Sequence, residues 1–168
     1  MIRPAGIVPT VIIDTNVVIA GLPTANGAGP FAVILNGMLH ADFAFAVSDA
    51  LLAEYRDVLS RPELRARLQL DETQVESMVS TLARQAIAVE PVPAQRAPDP
   101  DDQFLWELLA ARDDLQLVTR DKLLLGSSKM RGRVIPPEVF VERMSLRRLP
   151  SSSRAVPSMP ACPGRATR

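Results

Sequence analysis

Four carboxylates stand close to the ends of apolar runs or within the helical segments that follow them: Asp14, Glu54, Asp102 and Asp121. Asp14 is the most informative, because apolar residues precede it in Val11–Ile13 and resume at Val17. A carboxylate beside a core strand is costly unless it is paired, hydrogen-bonded or facing a cation. Asp14 is therefore either the cap of a helix or part of a site.

The elements that must position these acids alternate along the chain. Five short apolar runs are predicted as strands: Val11–Ile13, Phe43–Val47, Ile87–Val89, Leu115–Val118 and Val134–Ile135. Five segments with helical spacing lie among them: Pro30–Leu39, Asp49–Leu59, Glu63–Leu70, Glu72–Gln85 and Gln103–Arg112. This alternation predicts the α/β class, with a central, mostly parallel sheet between two layers of helices.

In an open parallel sheet, ligand sites gather outside the carboxyl ends of the strands. The four carboxylates are thereby predicted to converge, and their mutual repulsion favours a bound divalent cation. Oxygen ligands suit Mg²⁺ or Mn²⁺, which keep several waters in an octahedral shell. Such an ion activates water and stabilises charge on a phosphoryl oxygen, so the spacing favours metal-dependent phosphodiester cleavage.

Each carboxylate also has a purely structural interpretation. Aspartate is a favoured helix N-cap, which fits Asp14, Asp102 and Asp121. Glu54 fits a solvated face of its helix. Capping and metal binding are compatible at Asp102, since a carboxylate has two oxygens. The residues alone leave both interpretations open.

The composition excludes several kinds of site. With one cysteine, Cys162, the chain forms neither an internal disulfide nor a cysteine-based zinc site. Its one histidine, His40, rules out a histidine-rich metal centre, and we expect it to be structural. No apolar run reaches the roughly 18 residues that span a bilayer, and the N-terminus lacks the apolar core of a signal peptide. We therefore expect a cytoplasmic protein of one domain, with no membrane association.

The net charge of zero conceals an uneven distribution. Residues 145–168 carry five arginines and no acid, whereas the other 144 residues carry 14 basic and 19 acidic side chains. The tail is rich in proline, serine and arginine and has no apolar period, so we expect it to be disordered. A solvated tail is the simpler expectation, although its charge is suited to nucleic acid.

Four segments, in this order, resemble the motifs of the PIN domain: VIIDTNVVIAG, VSDALLAEYRDVLSRPELR, PDPDDQFLWELLAA and LVTRDKLLL. The resemblance is to the toxin branch related to the VapC ribonucleases. It covers residues 10–144, and leaves a short leader, residues 1–9, and the basic tail outside. The ordered set is specific, whereas any one segment alone is a weak signal.

The resemblance implies a metal-dependent endoribonuclease with an α/β/α fold. It assigns the catalytic acids to Asp14, Glu54, Asp102 and Asp121, and the Mg²⁺ or Mn²⁺ ligands to Asp14, Asp102 and Asp121. Supporting roles fall on Asn16, Ser48, Asp99 and Thr119. For the third acid, Asp99 and Asp101 are alternatives to Asp102. Asp102 is favoured because it stands at a helix start, nineteen residues before Asp121 and close to the family's spacing.

The same resemblance implies an RNA substrate, a homodimer and a cognate antitoxin protein. One alternative is a non-catalytic PIN-like module that binds RNA or protein. A second is a phosphatase of the haloacid dehalogenase type. That chemistry requires an acid two residues after the nucleophilic aspartate, and Asn16 occupies this position.

Overall fold

The computed structural model describes residues 9–22 and 29–148, and within them five short strands lie parallel to one another. They are β1 (Val11–Ile13), β2 (Ala46–Val47), β3 (Ile87–Ala88), β4 (Gln116–Val118) and β5 (Val134–Ile135). One sheet has the order β1-β4-β5 and the other pairs β2 with β3. A single bridge between Val11 and Phe45 connects the two.

Helices flank this parallel sheet, so the predicted α/β class is confirmed. They are α1 (Thr15–Gly21), α2 (Pro30–Leu39), α3 (Asp49–Leu59), α4 (Pro62–Leu68), α5 (Glu72–Gln85), α6 (Gln103–Ala110), α7 (Lys122–Leu125) and α8 (Pro137–Arg148). Two 3-10 helices, Pro100–Asp102 and Ser128–Met130, precede α6 and β5. No helix in the described ranges combines the length and the apolarity that a membrane span needs.

The register of β1 against β4 decides where the first acid lies. Ile12 faces Leu117, and Ile13 faces Val118. The backbone N–H of Asp14 then donates to the carbonyl of Val118, at 3.0 Å. The residue after β1 and the residue after β4 are thereby held side by side at one edge of the sheet.

Local signals explain why several predicted bounds are confirmed. The strands β1 and β5 and the helices α2, α3 and α5 have the predicted limits. Proline stands at the first position of α2, where its missing N–H costs nothing. At the start of α5, Asp71 and Gln74 form a reciprocal capping box, with bonds of 2.7 and 2.9 Å.

Other bounds were wrong by one to three residues. The strand predicted over Phe43–Val47 shortens to β2, because Phe43 instead packs its ring edge-on against Phe140, with centroids 5.0 Å apart. The helix predicted over Glu63–Leu70 ends two residues earlier, because Gln69 adopts a left-handed φ of 52°. The helices α1, α7 and α8 were not among the predicted helical segments.

The end of the chain differs from the prediction in one respect. Residues 145–148, which the sequence assigned to the tail, form the last turn of α8. This helix packs against α2 and buries Phe140. The remainder of the predicted tail, including Cys162, and residues 1–8 of the leader lie outside the described residues.

The core contains Trp106, whose side chain is fully buried, so it packs the interior and offers no surface for a base. His40 is exposed at the end of α2, where its Nδ1 lies 2.8 Å from the carbonyl oxygen of Asn36. The position of His40 at a helix end is compatible with the structural role expected for it.

α1 and α2 approach closely at Gly21. A Cβ atom there would lie 2.6 Å from the carbonyl oxygen of Phe31 and 2.9 Å from the Cβ of Leu35. Only glycine leaves room for this contact between α1 and α2. The contact fixes the position of α1, which begins directly after Asp14.

We predict that Gly21→Ala lowers the free energy of unfolding by about 1–3 kcal/mol, as overpacking does, although alanine is the better helix former. Urea denaturation measures the change. Gly29→Ser is the matched control, because a Cβ at Gly29 meets nothing within 4 Å and serine is a favoured N-cap. Equal stability of the Gly21→Ala and parent proteins would contradict the close approach.

Candidate functional site

Asp14 occupies the N-cap position of α1 but does not cap it. Its side chain makes no capping hydrogen bond to the helix, and only 6% of the residue is exposed. Instead, Oδ2 accepts a hydrogen bond of 2.6 Å from the hydroxyl of Thr119 and one of 3.0 Å from the amide of Asn16. The carboxylate is thus positioned mainly by side chains, while the backbone N–H groups of Thr15 and Asn16 at the start of α1 stabilise its charge more weakly.

Thr119 connects two of the predicted acids. It is fully buried directly after β4, and its hydroxyl also accepts a hydrogen bond of 3.0 Å from the backbone N–H of Asp121. One hydroxyl therefore holds the Asp14 carboxylate and the backbone of the segment that carries Asp121. The supporting roles expected for Thr119 and Asn16 agree with these contacts.

Burial raises the pKa of Asp14 above its ordinary value. The hydrogen bond from Thr119 and the backbone N–H groups of Asn16 and Thr15 lower the pKa, while the charge of Asp121 raises it. Burial outweighs the hydrogen bonds. The folded protein therefore holds an anionic Asp14 only at a cost in free energy, which a nearby cation would reduce.

Asp102 is half-buried at the end of the 3-10 helix that leads into α6, and its side chain caps nothing. Its pKa is raised to about 6, first by burial and then by the charges of Asp14, Asp121, Asp99 and Asp101, in that order. The carboxylates at the ends of β1 and β4 are thus electrostatically coupled to the one before α6. The charges of Asp14, Asp102 and Asp121 thus influence one another, and the assignment of these three residues to one site stays a prediction.

Asp121 differs from the other two, because it does cap a helix. Its Oδ1 accepts hydrogen bonds from the backbone N–H groups of Leu123 at 2.7 Å and Leu124 at 3.4 Å, at the start of α7. One oxygen of Asp121 therefore acts as a helix cap, as the structural interpretation of this residue predicts. No described residue donates a hydrogen bond to the other.

The remaining predicted residues lie around this cluster. The Oδ1 of Asp99 accepts from the backbone N–H of Asp101 at 2.9 Å and so caps the 3-10 helix. Ser48 is buried and caps α3 by accepting from the backbone N–H of Leu51 at 3.2 Å. Glu54 is half-buried on α3, and within the described ranges it makes no hydrogen bond or ion pair.

Two residues near the site were not predicted to contribute. Tyr55, fully buried, donates its hydroxyl to the carbonyl of Ile13 and so fixes α3 to the end of β1. Burial and the charge of Asp14 raise the pKa of Tyr55, which keeps the phenol neutral. The guanidinium of Arg120 lies over the ring of Phe31, 5.4 Å from its centroid. In the sequence, Tyr55 looks like one more member of an apolar helix face.

The donor set suits a hydrated divalent cation better than a dehydrated one. The side-chain oxygens of Thr15 and Asn16 are buried beside Asp14 without a hydrogen-bond partner among the described residues. Such acceptor oxygens are satisfied by a cation or by its waters. Within residues 9–22 and 29–148, however, no three His, Cys, Asp or Glu side chains stand close enough to hold one ion directly. Mg²⁺ and Mn²⁺ fit this arrangement, because they bind through one or two carboxylates and retain water.

The chain belongs to the PIN domain family, whose model matches residues 10–123, more than half of its length. PIN domains are in general nucleases. The crystal structure of PAE2754 from Pyrobaculum aerophilum is similar, with a TM-score of 0.54 over 82% of this chain and 90% of that chain. At 16% sequence identity this likeness concerns the fold alone. A search among curated proteins found no match.

We predict that Asp102→Asn raises the melting temperature of the metal-free protein at pH 7 by about 2–4 °C. The pKa of Asp102 is higher in the folded chain than in the unfolded one, so its protonation stabilises the fold at low pH. This stability is lost as the pH rises through about 6. The neutral amide avoids the loss. Thermal unfolding in chelator between pH 4 and pH 8 measures the difference, which should shrink toward pH 4.

The matched control is Asp57→Asn, because Asp57 is exposed and pairs only with exposed Arg61, at 3.4 Å. Such a surface pair contributes little to stability. A destabilised Asp102→Asn protein at pH 7 would contradict the repulsion inferred for this cluster.

Proposed function

We propose that the protein is a metal-dependent endoribonuclease that hydrolyses RNA phosphodiester bonds, and that it acts as the toxin of a type II toxin–antitoxin pair. The observation that carries the nuclease proposal is the state of Asp14. This carboxylate is buried, caps no helix, and lies among side-chain oxygens that lack a partner within the described residues. A site for a cation explains all three properties together.

The proposed metal site consists of Asp14, Asp102 and Asp121, with one or two of these carboxylates binding the ion directly and the rest binding it through its waters. The charges of Asp14 and Asp121 both raise the pKa of Asp102, which supports Asp102 over Asp99 and Asp101 as the third acid. Asp99 is also committed to the backbone N–H of Asp101. When bound, Mg²⁺ or Mn²⁺ would neutralise these carboxylates, polarise a phosphoryl oxygen and lower the pKa of water.

The protein's own residues prepare the site. Thr119 and Asn16 orient one oxygen of Asp14 by donating to it, so the carboxylate keeps its position without a helix cap. In the metal-free protein Asp102, with a pKa of about 6, is partly protonated near neutral pH, and a bound cation would favour its ionised form. Tyr55 fixes α3, the helix that carries Glu54, against the end of β1.

Glu54 is also proposed as a catalytic acid, because of where its helix packs. Its helix, α3, packs against α1 and α6, the helices that begin after Asp14 and Asp102. The charge of Glu54 is not among those that shift the pKa of either aspartate. Glu54 therefore fits a position at the rim of the site, facing substrate or water, better than a position among the metal ligands.

A second candidate is a non-catalytic PIN module that binds RNA or protein. One observation favours it: in the described part of the chain no three potential ligands are close enough to hold a metal directly. The phosphatase alternative has no remaining support, because Asn16 holds Asp14 in place where that chemistry needs an acid.

We predict that the purified protein cleaves single-stranded or structured RNA in Mn²⁺ or Mg²⁺ but not in chelator. Asp14→Asn should abolish cleavage, because the neutral amide binds a divalent cation far more weakly than the carboxylate does. Gel analysis of end-labelled RNA measures the activity. In cells, induced expression should arrest growth with the parent chain and not with Asp14→Asn.

Asp57→Asn is again the control, because it makes the same change at an exposed aspartate that is not among the proposed site residues. Metal-dependent cleavage retained by Asp14→Asn would contradict the proposed site. If both folded chains bind RNA without cleaving it in any metal, the non-catalytic module replaces the enzyme. Growth unaffected by an active nuclease would remove the toxin role alone.

The remaining proposals follow from the resemblance to toxins of this family. They are a cognate antitoxin protein, a homodimer, and a cytoplasmic location where cellular RNA is accessible.

A further inference from the structure

A groove of about 380 Å³ adjoins the acidic cluster. One wall is formed by Arg96, Ala97 and Pro98, and the other by Leu123 and residues 126–129. The first wall runs directly into Asp99 and the 3-10 helix that ends at Asp102, and the second follows Asp121. Both walls are therefore continuous with the segments that carry the proposed metal ligands.

The charged residues that line this groove are both cations, Arg96 and Lys129. They bring the walls together, since the Nζ of Lys129 donates to the carbonyl of Arg96 at 3.4 Å. Both side chains are exposed, and neither pairs with a carboxylate of the described residues. Two unneutralised positive charges thus lie beside a strongly acidic centre.

Arg133 is an example of a cation whose hydrogen bonds serve the fold. Arg133 donates to the carbonyls of Leu109, Arg112 and Leu115, and so ties α6 to the segment before β4. Its guanidinium is used within the protein. Among the described residues Lys129 makes one such bond, to the carbonyl of Arg96, and the guanidinium of Arg96 makes none.

Other concave surfaces do not share this character. Two grooves lie along α5, and the charged residues lining them are acids: Asp71 in one, Glu72 and Glu76 in the other. Neither lining offers a positive charge to a polyanion. The groove beside the proposed active site is complementary to phosphate.

The groove also offers apolar contact. Leu123 is 62% exposed, and Pro98 lies on the opposite wall. Ser127 and Ser128 add hydroxyl groups able to donate to phosphate or ribose oxygens. Positive charge, hydroxyl donors and an apolar surface together match an extended sugar–phosphate chain whose bases are unpaired.

We infer that this groove binds the backbone of single-stranded RNA next to the bond that is cut, with Arg96 and Lys129 contacting phosphates and Leu123 contacting a sugar or base. The inference rests on the proposed function for its substrate. It adds a specific binding surface, which explains how a domain with an acidic excess outside its tail approaches a polyanion.

The test measures binding of short, fluorescein-labelled single-stranded RNAs of random sequence by anisotropy, with the full chain in chelator. The double variant Arg96→Gln, Lys129→Gln should weaken binding at least about tenfold at low salt. It should also reduce the slope of log K against log salt by about 1.4, or about 0.7 for each phosphate that is no longer neutralised. Leu123→Ala should weaken binding and leave the slope unchanged.

The matched control is Arg67→Gln, Arg84→Gln, which removes the same charge from exposed positions on α4 and α5. Equal RNA binding by the two double variants, with unchanged melting temperatures, would contradict RNA binding by the groove. This holds even if the protein cleaves RNA. Failure of the unsubstituted chain to bind RNA at low salt would overturn it as well. An absence of metal-dependent cleavage with groove-dependent binding would remove the enzymatic proposal and leave the groove in place.

Discussion

The hydrogen bond between Thr119 and Asp14 is the contact on which the site depends. It crosses from the end of β4 to the end of β1, over a separation of 105 residues. The register of these two strands brings the hydroxyl and the carboxylate together, and the second bond from Asp121 extends the connection into α7. A buried carboxylate is thereby held at a fixed point of the sheet edge, where its charge is costly without a partner.

The free-energy cost of burying the Asp14 charge explains why a cation is expected among the surrounding acids. The three aspartates repel one another electrostatically. Burial, together with this repulsion, raises the pKa of Asp102 to about 6. A cation would remove this repulsion and would also complete the unpartnered oxygens of Thr15 and Asn16. The groove of Arg96 and Lys129 stands beside the acids with the opposite charge, so a nucleic acid strand can lie along it while one phosphate faces the acidic centre.

The limits of several strands and helices were predictable from the sequence, for physical reasons. The apolar run before Asp14, the capping box at Asp71 and the proline at the start of α2 are local signals, and their elements have the predicted limits. The pairing of Thr119 with Asp14 depends on strand register, which no local pattern encodes. The hydrogen bond of Tyr55 was missed because a buried tyrosine in a helix face resembles any other apolar residue. α8 was not predicted, and its last turn was assigned to the tail because its arginines resembled the residues that follow.

The most direct test of a cation site at Asp14 is crystallographic. Crystals of the full chain grown or soaked with Mn²⁺ are measured on both sides of the manganese absorption edge. We expect an anomalous difference peak within coordination distance of the Asp14 carboxylate and close to Asp102, with water completing its shell. The peak should be absent from Asp14→Asn crystals. A parent structure with no manganese at Asp14, or with the ion bound elsewhere, would contradict the site.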